Sequence, residues 1–350
     1  MPVNTGLAQV SNDFLLVAVV IYALAMLAFA CDFAFGKKPA KAATAARVPA
    51  PALVGAAAGS GDAPATDLPA SDGPAVGVGA AGAGGGGSAA TTGRTGVGRW
   101  VAIAVTLVCL GLAAHTTGVV LRGVSVHRLP WGDMYEFVTA LTCVAVAFFV
   151  VAMIRYRAYY LGLFVMVAVV LVLGLAETVI YTPAGQLPPA LQSYWLAIHV
   201  TAMTLATGVF FVAAVAGITY LFVDRHARRV AAGRPAGSDG ILRRLPGPEA
   251  LDRLAYRTVV FGFPIWTFGV MAGAIWADRA WGSYWSWDPT ETWAFITWVV
   301  YACFLHARAT AGWRGRRATV IQLLGFGCLI FNVMVISLVV PGLHSYAGLT

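Results

Sequence analysis

V-I-Q-L-L-G-F-G-C-L-I-F-N-V-M-V-I-S-L-V-V, from Val320 to Val340, contains no Asp, Glu, Lys or Arg. It exceeds the roughly 18 apolar residues that mark a transmembrane helix. Other stretches of the chain do the same, and the composition agrees. The chain is 59% hydrophobic and 11% charged, with a mean hydropathy of +0.77. Soluble domains are about a quarter charged. These features predict an all-α, polytopic integral membrane protein. The net charge of +8 therefore bears on loop orientation rather than on nucleic acid, because Lys and Arg collect on the cytoplasmic side of a membrane protein.

Eight spans are expected. Working outward from Val320–Val340, the seventh covers about Glu291 to Ala309 and the sixth about Val259 to Ala274. The fifth runs from near Ser193 to near Val223 and is longer than a bilayer needs. The fourth is about Tyr159 to Val179, the third about Met134 to Ile154, the second about Trp100 to Val120, and the first Phe14 to about Phe35. Lys37, Lys38 and Lys41 follow the first span, Arg94 and Arg99 precede the second, and Arg155 and Arg157 follow the third. The segment Asp224–Arg257 is Arg-rich, and Arg308, Arg314, Arg316 and Arg317 lie between the last two spans. All fit one orientation, with both termini outside and the loop at Tyr181–Gln192 outside. No basic segment precedes the first span and no small-residue cleavage site follows it, so a removed signal peptide is not expected. Residues 36–99 are mostly Ala, Gly, Pro and Ser, cannot bury a core, and are expected to form a disordered cytoplasmic linker.

Between the sixth and seventh spans lies W-A-D-R-A-W-G-S-Y-W-S-W-D-P-T-E-T-W, Trp276 to Trp293. It holds five of the eleven tryptophans. Indoles collect at membrane–water boundaries, because the ring is apolar and its N–H wants a polar partner. Such a belt accounts for one or two of them. Five, interleaved with Asp278, Asp288 and Glu291, suggest an aromatic shelf for a flat ligand. Asp288-Pro289-Thr290-Glu291 also reads as a helix start, with Asp288 as cap, Pro289 at the first position and Glu291 as the capping-box carboxylate.

The cysteines, Cys31, Cys109, Cys143, Cys303 and Cys328, all fall in apolar spans and form no C-x-x-C. They read as small buried hydrophobes rather than as a redox pair, a zinc site or a covalent haem attachment point. Of the histidines, His226 and His127 read as surface residues. His115, inside the second span, fits either a functional role or a helix–helix hydrogen bond. His199, in S-Y-W-L-A-I-H-V, and His344, in P-G-L-H-S-Y, both fall on the outer side with the tryptophans. Two imidazoles across a gap make an axial pair for haem iron. His306, in Y-A-C-F-L-H-A-R, lies in the inner half of the seventh span with no second histidine at its depth. It either bonds a neighbouring helix or shares a ligand with another subunit.

W-G-S-Y-W-S-W-D-P-T-E-T-W resembles the tryptophan-rich "WWD" signature of haem-handling membrane proteins. With S-Y-W-L-A-I-H-V, C-F-L-H-A-R and G-L-H-S-Y in order around it, residues 100–350 resemble the CcsA/ResC family of system II cytochrome c biogenesis, called CcsB in actinobacteria. The resemblance implies a multi-pass protein of the cell membrane whose outer face holds non-covalent haem b. It implies a ResB-type membrane partner and attachment of haem to the C-x-x-C-H of apocytochrome c, as a subunit of a holocytochrome c synthase. His199 and His344 would be the outer axial ligands, with Trp281, Trp285, Trp287 and Asp288 as the haem platform. His306 would be an intramembrane ligand where haem arrives, paired with a partner histidine. The incoming histidine of C-x-x-C-H would displace one axial imidazole. No nucleophile or acid–base pair is required, because the substrate brings its own thiols; what the protein supplies is orientation. Alternatives are a CcmC- or CcmF-like protein of the other maturation system and a transporter of another solute, for which paired Gly/Pro-broken spans would be expected.

Overall fold

The structure, a computed structural model, describes residues 3–36, 98–186, 192–233 and 241–344. The expected linker falls almost wholly in 37–97, outside the described residues. Among the described residues eight long helices run in chain order: α1 (Thr5–Phe35), α2 (Arg99–Ser125), α3 (Met134–Tyr156), α4 (Gly162–Leu175), α5 (Tyr194–Ala231), α6 (Pro248–Trp281), α7 (Pro289–Thr310) and α8 (Arg316–Phe331). A π-helical turn extends α4 over Ala176–Ile180, and another extends α8 over Asn332–Ile336.

Among the described residues, seven helices are long and apolar enough to cross a membrane. The eighth of span length is α7, which Thr290, Glu291, Thr292, Thr297, His306 and Arg308 make less apolar. It packs on α8 nevertheless, and its buried residues Ala294, Thr297, Tyr301 and Phe304 form one stripe.

Several helices outrun the apolar stretches that reveal them. α1 begins at Thr5 rather than Phe14, because Asn4 accepts the Leu7 N–H at 3.1 Å and caps a polar first turn. α5 continues through D-R-H-A-R-R to Ala231, and α6 starts at Pro248. Much of the Arg-rich segment expected as a loop is therefore helix, since charged side chains solvate readily without breaking helical hydrogen bonds. Arg308 of α7 holds Asp252 of α6 at 2.8 Å at this end.

Lipid is as apolar as Leu, so helices in a membrane associate by close packing and internal hydrogen bonds rather than by hydrophobic exclusion. α1 and α2 show this. A Cβ on Gly111 would come 2.6 Å from the Tyr22 ring, and the Ser11 hydroxyl donates to the Gly118 carbonyl at 2.7 Å. His115 is buried here, with Nδ1 3.3 Å from the Tyr22 hydroxyl. Its place in the fold is thus a helix–helix contact. α5 is buried along most of its length, against α3 on one side and α6 and α8 on others. Phe210 of α5 stacks on Tyr301 of α7, with ring centroids 4.1 Å apart.

Candidate functional site

The start of α5, the end of α6, the start of α7 and the residues beyond α8 meet in one place, and the histidines His199 and His344 both stand there. Ser193 caps α5 by accepting the Trp195 N–H. That sets His199 within the second turn. Its Nδ1 lies 2.8 Å from the Gly269 carbonyl oxygen of α6. A carbonyl only accepts, so Nδ1 carries the proton and Nε2 keeps its lone pair. α6 permits this approach because Gly269 and Gly273 lie one turn apart. A Cβ on Gly273 would sit 2.6 Å from His199 Nδ1.

His344 is oriented by Asp288. The Nδ1–H donates to Asp288 Oδ2 at 2.9 Å, and the Leu343 N–H donates to Oδ1 at 2.6 Å. Asp288 also caps α7, accepting the Thr290 N–H at 3.0 Å, while Glu291 closes the capping box. The cap expected from sequence is present, and the same carboxylate has a second task. Burial works to raise the Asp288 pKa. The bonds from His344, Leu343 and Thr290, with the His344 charge, outweigh it and hold the carboxyl below its ordinary range. Gly342 allows the tail to approach: a Cβ there would lie 2.5 Å from Asp288 Oδ1. With Nδ1 committed to the carboxylate, Nε2 is the nitrogen through which His344 would hold a metal.

The tryptophans divide. Trp276, 1% exposed, lies in the last turns of α6 rather than in a loop, because Asp278 and Arg279 interrupt the apolar run but not the helix. Its ring is 16° from parallel to His199 at 6.2 Å between centroids, and it meets His344 edge-on at 6.1 Å. Trp281 stands edge-on to Trp276 at 4.7 Å and to His344 at 5.2 Å. Gly282, at φ +74, ends α6. Glu291 then gathers the loop, its Oε2 accepting the Ser286 N–H at 2.9 Å. Trp285 lines the cleft. Trp287 is 67% exposed, has φ +59, and packs edge-on against Trp285 and Phe295 outside the cleft.

This cleft has about 510 Å³ of open space, lined by His199, Trp276, Trp281, Trp285, Asn332 and His344 among others. A second of about 820 Å³ adjoins it, sharing His199, Met203, Thr290, Asn332 and His344 and adding Trp131, Gly132 and Asp133. In sequence that W-G-D turn reads only as a loop before α3. A buried ion cluster fixes it. Glu136 takes Arg122 Nε at 3.2 Å, Arg128 at 2.6 Å and the Gly132 N–H at 2.8 Å. Burial, then the Glu136 charge, pushes the Asp133 carboxyl up to about 6.

His306 is elsewhere. It lies on the exposed face of α7 with Phe295, Val299 and Cys303, seventeen positions beyond Pro289 or about 25 Å along a helix at 1.5 Å per residue. Among the described residues, none bonds its ring. The structure thus brings His199, His344, Trp281, Trp285 and Asp288 together, leaves Trp287 beside them, and keeps His306 apart. Trp276, the first tryptophan of the expected shelf, joins the site from within α6, and Asn332 joins it unforeseen. Asn332 had one available signal, a carboxamide inside an apolar span.

An axial imidazole pair suits haem, and the residues fit it. Both rings are tied back through Nδ1, aromatic rings wall the space between them, and no group of three or more His, Cys, Asp or Glu side chains gathers for a bare metal ion among the described residues.

Comparison with known proteins identifies the family. The family model "Cytochrome C assembly protein" matches residues 131–344. The cytochrome c biogenesis protein CcsA of Chlamydomonas reinhardtii is 42% identical over 163 residues, 47% of this chain and 43% of that protein. CcsA of Synechococcus sp. (strain JA-2-3B'a(2-13)) is 34% identical over 277 residues, 64% of this chain and 79% of that one. CcsA of Mesostigma viride is 34% identical over 250 residues, 66% and 81%. Among solved structures, a cytochrome c haem lyase, CcmF, shares the fold at a TM-score of 0.57 and 14% identity, covering 95% of this chain and 47% of that one.

Proposed function

Because the chain belongs to the cytochrome C assembly protein family, among the CcsA proteins of cytochrome c biogenesis, we propose that it presents non-covalent haem b between His199 and His344 for attachment to the C-x-x-C-H of apocytochrome c. The observation that carries this reading is the imidazole pair, each ring oriented through Nδ1 by an acceptor on another helix or at its cap. Ligating histidines almost always donate their second nitrogen in this way, which fixes the ring and raises its basicity.

The haem supplies two vinyl groups. Each thioether forms when a cysteine sulfur bonds to one vinyl carbon and the thiol hydrogen goes to the other, so atoms balance and no outside oxidant is consumed. The chain's part is positional. Trp276, Trp281 and Trp285 wall the cleft and exclude water. His199 and His344 would hold the haem iron through Nε2 and would tune its potential. The incoming histidine of C-x-x-C-H would replace one of them.

Most of the arginines, Arg155, Arg228, Arg308 and Arg316 among them, lie at the helix ends away from the cleft, and by the positive-inside rule this supports a cleft on the outer face of the cell membrane. His306 belongs to haem arrival. Its imidazole stands on an exposed face of α7, a position that in lipid would be costly without a partner, and a ResB-type subunit carrying a histidine would supply one.

The test is the absorption spectrum of the purified complex. His199→Ala and His344→Ala should each convert a six-coordinate bis-imidazole haem to five coordination and cripple maturation, with added imidazole refilling the position. Wild-type spectra and full activity in both variants would overturn the assignment.

A further inference from the structure

Asn332 is 6% exposed and lines both clefts beside the histidines. It opens the π-helical turn at the end of α8, a local departure from α geometry that recurs at functional sites. Its Nδ2 donates to the Thr290 carbonyl at 3.1 Å. A carbonyl cannot donate, so the amide orientation is settled and Oδ1 is the remaining polar atom. Among the described residues nothing bonds that oxygen. A buried acceptor left without a donor costs roughly 1–3 kcal/mol.

The donor is not one of the resident imidazoles, whose Nδ1 groups go to Gly269 and Asp288. It is not the porphyrin either. Its rim offers C–H groups, vinyls and propionates, and ionised propionates only accept. Of the groups that the proposed reaction brings into the cleft, the second substrate is the one that carries a donor. We propose that Asn332 Oδ1 receives the Nδ1–H of the histidine in C-x-x-C-H as that histidine replaces His344 on the iron. The assignment rests on the ligand replacement put forward above. The cleft would then hold three acceptors for three imidazoles: the Gly269 carbonyl, the Asp288 carboxylate and the Asn332 amide oxygen. His344 is the replaceable ligand. It stands beyond α8 on a non-helical segment, whereas His199 is fixed within α5. Asn332 is thus a positioning residue for the leaving and arriving ligands.

The test uses the full haem-loaded complex carrying His344→Ala, in which the refilled position is read as return of the low-spin spectrum. Two peptides of the A-x-x-A-H type are titrated, one with histidine and one with Nδ1-methylhistidine. Both ligate through Nε2, and only the first has an N–H to donate. The histidine peptide should bind about tenfold more tightly. Adding Asn332→Leu should erase that preference, while Asn332→Asp, which keeps an acceptor, should retain it. Equal binding of 1-methylimidazole in all backgrounds shows that the site still folds. A preference that survives Asn332→Leu, or that is absent in His344→Ala alone, overturns the assignment. So does an Asn332 effect that appears only when the cysteines are restored, which would give the acceptor to a thiol. If neither peptide restores the low-spin spectrum while 1-methylimidazole does, the ligand replacement itself fails, and the role of Asn332 with it.

Discussion

Asp288→Asn separates the two tasks of the cap carboxylate. Several donors converge on it: His344 Nδ1–H and the Thr290 N–H on Oδ2, the Leu343 N–H on Oδ1, and the Glu291 N–H that completes the capping box. An asparagine has one acceptor oxygen. If that oxygen faces His344 and Thr290, its NH2 opposes the Leu343 N–H; if it faces Leu343, the His344 and Thr290 donors are stranded. Either way at least one buried donor is lost, at about 1–3 kcal/mol. Asn is nearly as good an N-cap as Asp, so α7 itself should lose little. The cost therefore falls on the docking of residues 342–344. At 1.4 kcal/mol per tenfold, ligation by His344 should weaken about tenfold or more. Losing the anion also makes the imidazole less basic, so the iron potential should rise. The assay is a haem titration of the purified complex with a redox titration of the loaded form. pH gives a second check. A carboxyl whose folded pKa is depressed contributes stability that is full above its unfolded pKa of about 3.9 and is lost as pH falls through the folded value. Wild-type ligation should thus show an acid-side loss from this group below the ordinary carboxylate range, and the Asn variant should lack it. Wild-type occupancy and potential in Asp288→Asn would refute the role given to the carboxylate.

Gly273→Ala should displace His199, since its Cβ would lie 2.6 Å from Nδ1; an unaltered bis-imidazole spectrum in the folded variant would show that the contact yields easily. His306→Ala should lower haem content per assembled complex while leaving the outer site able to bind haem added from outside. Normal protein level with full haem content would sink its part in haem arrival, and poor assembly with normal occupancy would make it a packing residue.

The spans were legible because hydrocarbon sets a minimum apolar length, and each of the seven apolar helices meets it. Their ends were not. Hydropathy stops where charge begins, but helical hydrogen bonding continues, which is why Trp276 reads as a loop and lies in α6, and why α5 reaches Ala231. His199, His344, Trp281, Trp285 and Asp288 were readable from residue type and order. What orients His199 was hidden, because its partner is the Gly269 backbone carbonyl, and a sequence names side chains only. The second cleft was hidden for a related reason: the Trp131–Asp133 turn is fixed by the Glu136 ion cluster, and residue order alone does not show that Arg122, Arg128 and Glu136 close on one another.

The two histidines are held by unlike devices, and the difference bears on how attachment can finish. A helix interior supplies His199 with a fixed backbone and a neutral carbonyl on a second helix, so moving it means parting α5 from α6. His344 hangs from a carboxylate through a short segment after α8, so moving it does not require parting two long helices. A bis-imidazole site that gripped both sides equally would bind haem well and release the product poorly. Under the proposed haem ligation, one rigid and one releasable ligand would let the iron stay seated through thioether formation while a single coordination position changes hands. The capping box ties that releasable side to the start of α7. Loss of His344 from the iron therefore need not loosen the aromatic wall: Glu291 holds the 282–288 loop through Ser286 and Asp288 backbone N–H groups, independently of the tail.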